Sequence, residues 1–506
     1  MKCVLLLLLL TPAGLVWGQK LITYEAGMGT RDATDPDVWI LYRRVKAMHE
    51  GMVLYADSAL LNTVRNDFMA FGNIKMELTD TTTIYGDQLY YDGESRVAEI
   101  WDDTVRMVDG GTVLKSDHLT YDRFSSIAFY DTWGIATAGT RRLESRRGYY
   151  NSDLKVFDIY DSVVLTDTGM CLLTDTLTYE TEPQMAYFWS PTWVYMDSTR
   201  LYSERGTYNT DLRKAHSVKA SQVHRGGQHL YSDTLDYHEP TGLGMAAGHV
   251  LLKDTVNDVD ATGRYAETGR RKGLSLVTDS ALVRFYGRNE GDSAEADTLY
   301  LHADSIFVGT DSAGGLEWVM AYHHVKAFRS QAQAMCDSVH YTAADSTARL
   351  FHDPVLWYTN SQATADTIVV RHDTSGARQA FFSGSSFFVE QLDGEKFNQI
   401  KGRNTVVYFA GGEPRYADIL GNAEMTYHIT DQDAHGGKCL VGVNSGRGSG
   451  MRVYFVDRAP DRVVTLGNPD MQTYPLEQLP PERNRLDGFR WLDNRRPKKP
   501  MDVFVW

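Results

Sequence analysis

Ser116-Asp117-His118-Leu119-Thr120-Tyr121-Asp122 is a stretch that close copies repeat down the chain. The clearest copies are Gly86-Asp87-Gln88-Leu89-Tyr90-Tyr91-Asp92, Thr174-Asp175-Thr176-Leu177-Thr178-Tyr179-Glu180 and Ser232-Asp233-Thr234-Leu235-Asp236-Tyr237. Further copies begin at Ala296-Asp297, Cys336-Asp337 and Ala365-Asp366, and weaker ones at Ala56-Asp57, Ser145-Arg146 and Ser203-Glu204. With the second position as marker, the copies fall at 57, 87, 117, 146, 175, 204 and 233, in steps of 30, 30, 29, 29, 29 and 29. A fixed step is the signature of a repeat architecture. In each copy an apolar residue and an aromatic two places on share one face of an extended strand, with polar residues between them. The small residue and Asp before them suit a bend at the strand's start. A step of about 29 residues fits three short strands with turns, and one such unit closes its core only by stacking on its neighbours. The expected fold is all-β: an elongated open β-jelly roll or β-solenoid built from these repeats.

Composition limits the function. Met1-Lys2-Cys3 precedes an unbroken apolar run to Leu10, and the stretch ends at Val16-Trp17-Gly18, which reads as a cleavable signal peptide over 1–18. Cys3 lies before the apolar run, so no lipid-modified first residue is expected. No later stretch is long and apolar enough to span a bilayer as a helix. Cys171, Cys336 and Cys439 are three and widely spaced, which supports neither a disulfide framework nor a paired CxxC metal site. A formal net charge of −15 argues against nucleic acid, which needs a basic stripe. It does not oppose an amphiphile held by its acyl chains, since each buried methylene contributes about 0.8 kcal/mol whatever the net charge.

The period holds to Asp233 and then lengthens, so insertions are expected at 268–273 and 287–292, with a block boundary between 245 and 265. The expected domains are a first β-repeat block over 19–250, a second over 251–470 and a Pro-rich, basic and aromatic tail over 471–506, either disordered or docked. Gly72-Asn73, Gly421-Asn422 and Gly467-Asn468 lie between apolar runs and read as turns, and Gly436-Gly437 with 445–450 reads as a pair of hairpin ends.

Chemistry is sparse. The chain has no HExxH, GxSxG, Walker or dinucleotide motif. One marker Asp per repeat is too thin for the clustered ligands of a calcium solenoid, and no cofactor or metal is expected. Carboxylates assembled by stacking would make a polysaccharide-active β-helix enzyme, but nothing singles out a pair. What remains is the inward stripe: Leu89 and Tyr91, Leu119 and Tyr121, Leu177 and Tyr179, Leu235 and Tyr237. It is either the filled core of a structural or adhesive solenoid or the lining of a groove for acyl chains.

Residues 52–59, Ala70-Phe71-Gly72-Asn73-Ile74 and Ile84-Tyr85-Gly86-Asp87 with Leu89 and Tyr91 resemble the organic-solvent-tolerance (OstA-like) family of lipopolysaccharide transport proteins. Residues 397–402, 406–409, 420–423 and Phe489-Arg490-Trp491 before Arg496-Pro497 resemble its long, stand-alone Bacteroidetes-type members. The family includes the bridge protein LptA and the N-terminal domain of LptD. The resemblance implies a non-enzymatic protein of the periplasm, free there or associated with the outer membrane, whose open jelly roll binds lipid A acyl chains of lipopolysaccharide along that stripe. It also implies pairing with itself or other transport components through edge strands near 38–42 and 451–456.

Overall fold

The computed structural model describes residues 21–269, 274–287, 298–373, 376–432, 438–457, 459–467 and 469–506. The signal peptide, Asp297 and Gly436-Gly437 lie outside these residues, as do parts of both expected insertions and Asn468. The described chain is all-β. Its one α-helix is the four-residue Pro481–Asn484, and no described helix is long and apolar enough to cross a membrane. Two compact units form, one from Met1–Asp197 with Glu204–Asp211, the other from Ser198–Ser203 with Leu212–Trp506.

In the first unit the repeat contains two long strands, where the spacing suggested three short ones. Thr82–Asp92, Val97–Asp109 and Thr112–Asp122 run antiparallel to one another. Each bends at a central bulge, and the marker Asp sits at that bulge, mid-strand instead of at a strand start. Ser116 pairs with Val105 and His118 with Trp101, which leaves Asp117 opposite three residues. The bend also switches which side chains face inward. Thr112, Leu114 and Ser116 are buried before it, Leu119 and Tyr121 after it. An extra residue at a bulge resets the two-residue alternation of a strand, so one strand turns a corner and keeps its apolar residues inside on both sides.

Gly72-Asn73 and Gly421-Asn422 are corners of this kind, not turns between strands. Both residues of each pair have positive φ, and they lie inside the unbroken strands Asp67–Glu77 and Glu413–Gln432. Likewise 445–450 is interior to the single strand Lys438–Val456. In the repeat for which the marker was expected at Asp297, the corner falls at Asp304, where the register shifts between His302 and Ser305.

Five of the chain reversals are Asx turns. The side-chain oxygens of Asn62, Asp92, Asp122, Asn151 and Asp254 accept from backbone N–H groups two residues on. A left-handed residue follows in each: Asn66, Arg96, Ser126, Lys155 and Asp258. Neither expected edge is an edge. Residues 39–42 pair with Met28–Arg31, and residues 450–456 pair with Ala459–Leu466.

Candidate functional site

The corners divide each unit's strands into two hydrogen-bonded half-ladders that fold toward each other as a V. In the first unit, one half-ladder carries the cross-strand row Leu54, Met76, Ile84, Met107, Leu114, Ala136, Leu143 and Leu165. The other carries Tyr91, Ala98, Tyr121, Ala128, Tyr150, Phe157, Tyr179 and Ala186. Large and small side chains alternate along much of the second row, as interdigitation requires.

The sequence placed Leu89, Tyr91, Leu119, Tyr121, Leu177 and Tyr179 on one inward stripe, and all six lie on the inner face of this half-ladder. Leu235 and Tyr237 belong to the second unit, where they pair with Ala246 and Gly244. All eight are 0–6% exposed. In the first unit the interior is therefore packed; a void between Thr112, Ala136, Leu143, Phe157, Leu165 and Tyr179 measures only ≈ 20 Å³.

Polar groups close the mouth of this V, where the two columns of turns face each other. Arg96 pairs with Glu50 at 2.8 Å, and Arg123 donates both to the Glu50 carbonyl (3.1 Å) and to the Tyr91 hydroxyl (2.8 Å), which also bonds His49 Nδ1. Further along, buried Asp109 accepts from Lys155 Nζ (2.6 Å), the Tyr150 hydroxyl (2.7 Å) and the Thr82 hydroxyl (3.1 Å). Burial pushes the Tyr91 and Tyr121 phenols upward, and Tyr150 further, because it also donates to Asp109. Burial raises Tyr130 to about 12. These phenols are donors at neutral pH, and no sequence pattern announced the clasp, because its partners lie 27 to 73 residues apart.

The second unit differs. On the strand Ala332–Thr342 burial fades with distance from the corner: Cys336 is buried, Ala334 half-buried and Ala332 exposed. The same holds along the inner cross-strand row Ala334, Leu356, Ala363, Phe388 and Ile400, all half-buried. Across the corners, Val339, Tyr341 and Val370 are half-buried too, above a buried floor of Leu350, Ile368 and Phe382. Phe382 and Phe388 meet edge to face across a corner, ring centroids 4.7 Å apart.

The opposite face of the same half-ladder is covered by the chain's own end. The tail, left open between disorder and docking by its composition, is docked. Its Leu486, Phe489 and Trp491 pack on Phe387, Val389 and Phe397, and Leu492 packs on Met335, Val355 and Trp357. Lys326 Nζ donates to the carbonyls of Arg495 and Val505, and Trp506 lies against His324. No cluster among the described residues could hold a metal ion.

An antiparallel all-β repeat, folded at mid-strand corners around an apolar interior, defines a jelly-roll-like class of protein. Residues 21–165 and 134–233 match the profile of a family described as OstA-like protein, so over 21–233 the chain is similar to that family. Among solved structures, LptH of Pseudomonas aeruginosa, titled as the LptA homologous periplasmic component of the lipopolysaccharide transport device, is similar at 12% identity with a TM-score of 0.22. That similarity covers 28% of this chain and 95% of LptH. A comparison with curated proteins found no match.

Proposed function

We propose that this protein is a non-enzymatic periplasmic carrier in lipopolysaccharide transport, and that acyl chains lodge in the half-open V of the second unit. The observation that carries the reading is the unit's inner apolar row, with Leu356, Phe388 and Ile400 facing the space beside Val339, Tyr341 and Val370 while remaining half-exposed. Apolar side chains left partly uncovered in a row mark a surface that binds something apolar. Each methylene that settles there contributes about 0.8 kcal/mol, so a single twelve-carbon chain supplies up to about 9 kcal/mol before ordering costs. The OstA-like match over 21–233 supports the assignment to lipopolysaccharide instead of another amphiphile. The predicted stripe of the first unit, from Leu89 to Tyr179, takes acyl chains on this reading only after its clasped mouth parts.

A photo-reactive phenylalanine analogue at Phe388 tests this in cells, with analogues at Leu119 and Leu177 reporting on the first unit and at His118 and Thr176 on outward faces. Lipopolysaccharide adducts are expected at Phe388 and absent at His118 and Thr176. Adducts from the outward positions alone would end the proposal.

A further inference from the structure

The face of the second unit turned away from the V is built in a way that an ordinary outer surface is not. A cross-strand row Gln333, Trp357, Gln362, Val389, Gln399 and Thr426 runs over it, each residue paired with the next. All six are buried, although four carry polar side chains. Buried amides need partners, and for Gln362 and Gln399 the partners are backbone groups of the C-terminal segment.

Gln399 donates from Nε2 to the Asn484 carbonyl (2.8 Å) and accepts at Oε1 from the Leu486 N–H (3.0 Å). Gln362 repeats the arrangement, donating to the Arg490 carbonyl (2.8 Å) and accepting from the Leu492 N–H (2.7 Å). Each glutamine thus brackets a carbonyl and an N–H two residues apart, the pattern an extended chain presents on one side. Thr426 donates to the Arg483 carbonyl at 2.7 Å, and Gln333 accepts from Arg496 Nε at 2.7 Å. Between the brackets the segment turns at Gly488, φ +85°, which lets Leu486 and Phe489 both reach the apolar residues of the row.

We infer that this face is a polypeptide-binding site, that its ligand is the chain's own segment 483–506 bound in cis, and that the site reads main chain through glutamine amides and side chains through apolar sockets. Backbone brackets combined with pockets for alternate side chains are how extended peptides are recognised elsewhere. The segment's covalent tether supplies a high local concentration and is not what defines the fit. An acyl chain could fill the sockets but would leave both glutamine amides without partners, so the site discriminates peptide from lipid by its polar groups. This inference does not rest on the acyl-chain reading, which concerns the opposite face.

A protease site inserted between Leu479 and Pro480 of the full chain tests it. After cleavage, the fragment from Pro480 to the C-terminus is expected to stay with the body through gel filtration and to exchange with excess labelled synthetic peptide of the same sequence. In the Gln362→Leu, Gln399→Leu double variant, release is expected to be at least tenfold faster. In the uncut double variant, the Leu486 and Leu492 amides are expected to exchange hydrogen at least tenfold faster than in the uncut parent, while amides of the first unit stay unchanged. A fragment that leaves the parent body on cleavage, or glutamine substitutions without effect on release and exchange, would overturn the inference. So would lipopolysaccharide captured by a photo-reactive phenylalanine at Phe397, where an intrachain adduct to residues 486–491 is expected. Capture at Phe388 reports separately on the acyl-chain proposal.

Discussion

Asp109→Ala removes the carboxylate at the centre of the first unit's clasp. Its loss leaves the Tyr150 hydroxyl without its buried acceptor, which costs about 1 to 3 kcal/mol. It also leaves Lys155, whose side chain is 29% exposed, without its ion-pair partner at 2.6 Å. Breaking a buried pair costs about 3 to 5 kcal/mol, and the ability of Lys155 to swing into water brings the total toward the lower end, about 3 kcal/mol. For a unit of this size that amounts to a fall of about 6 to 12 °C in the melting temperature of the first unit. Differential scanning calorimetry of the full chain reads it, with Tyr150→Phe expected to lower the transition by less than half as much. Lys155→Met alone should also destabilise, and Asp109→Leu combined with Lys155→Met should recover part of the loss, since an apolar replacement of the whole pair leaves no orphaned charge. The same double variant has a mouth held by less, so labelling of lipopolysaccharide from Leu119 should rise. Strictly additive single and double variants, or single variants within about 0.5 kcal/mol of the parent, would refute the clasp.

Leu177→Ala, in the packed interior, should cost about 2 to 5 kcal/mol in urea unfolding, whereas Leu356→Ala on the half-open row should cost clearly less; equal costs would mean the second V is not open. Gly148→Ala should destabilise the first unit by more than an ordinary surface change, because an added Cβ would sit 2.5 Å from the Tyr130 hydroxyl and 2.7 Å from Ile159, and thermal melting measures it. Burial holds His302 and His428 below the usual imidazole range; His302 donates from Nδ1 to the Ala281 carbonyl and lies against Phe504, with Asp304 partly opposing its shift and His324 and Lys326 adding to it. The unfolded chain therefore binds these protons more tightly, so stability of the second unit is full above about pH 6.5 and declines as pH falls from there toward the folded-state values; a melting temperature flat from pH 7.5 to 5 would contradict this.

The period was legible because its two strongest residues, Leu and Tyr two apart, are the ones buried after the corners at Asp87, Asp117, Asp175 and Asp233. The corners themselves were not, and the reason is physical. A hairpin turn and a strand corner both need backbone at positive φ, so Gly72-Asn73 and Gly421-Asn422 satisfy either reading equally. Pairing partners on both sides decide between them, and those lie in other strands. The markers erred where insertions break the step, at Asp297 in place of Asp304. The apolar stripe was found on the inward face, yet whether it was packed or open depended on the mouth of the V, which is set by Glu50 and Asp109 and not by the stripe. The buried glutamines were the hardest to see. Gln362 and Gln399 stand at positions that alternation assigns to the outward face, and only a segment 87 to 130 residues away makes them interior.

The docked segment 483–506 ties the completion of the second unit to the state of its surface. Strands of the first unit pair with neighbours already made, so that unit can zip up from its beginning as the chain emerges. The second cannot finish this way. His324 waits 182 residues for Trp506, and Gln362 waits 130 for Leu492. A chain that stops short would therefore display Trp357, Phe387 and Phe397 beside unsatisfied amides, an adhesive patch that chaperones and proteases recognise. Docking of residues 483–506 thus reports that the second unit has been made through to its covering segment.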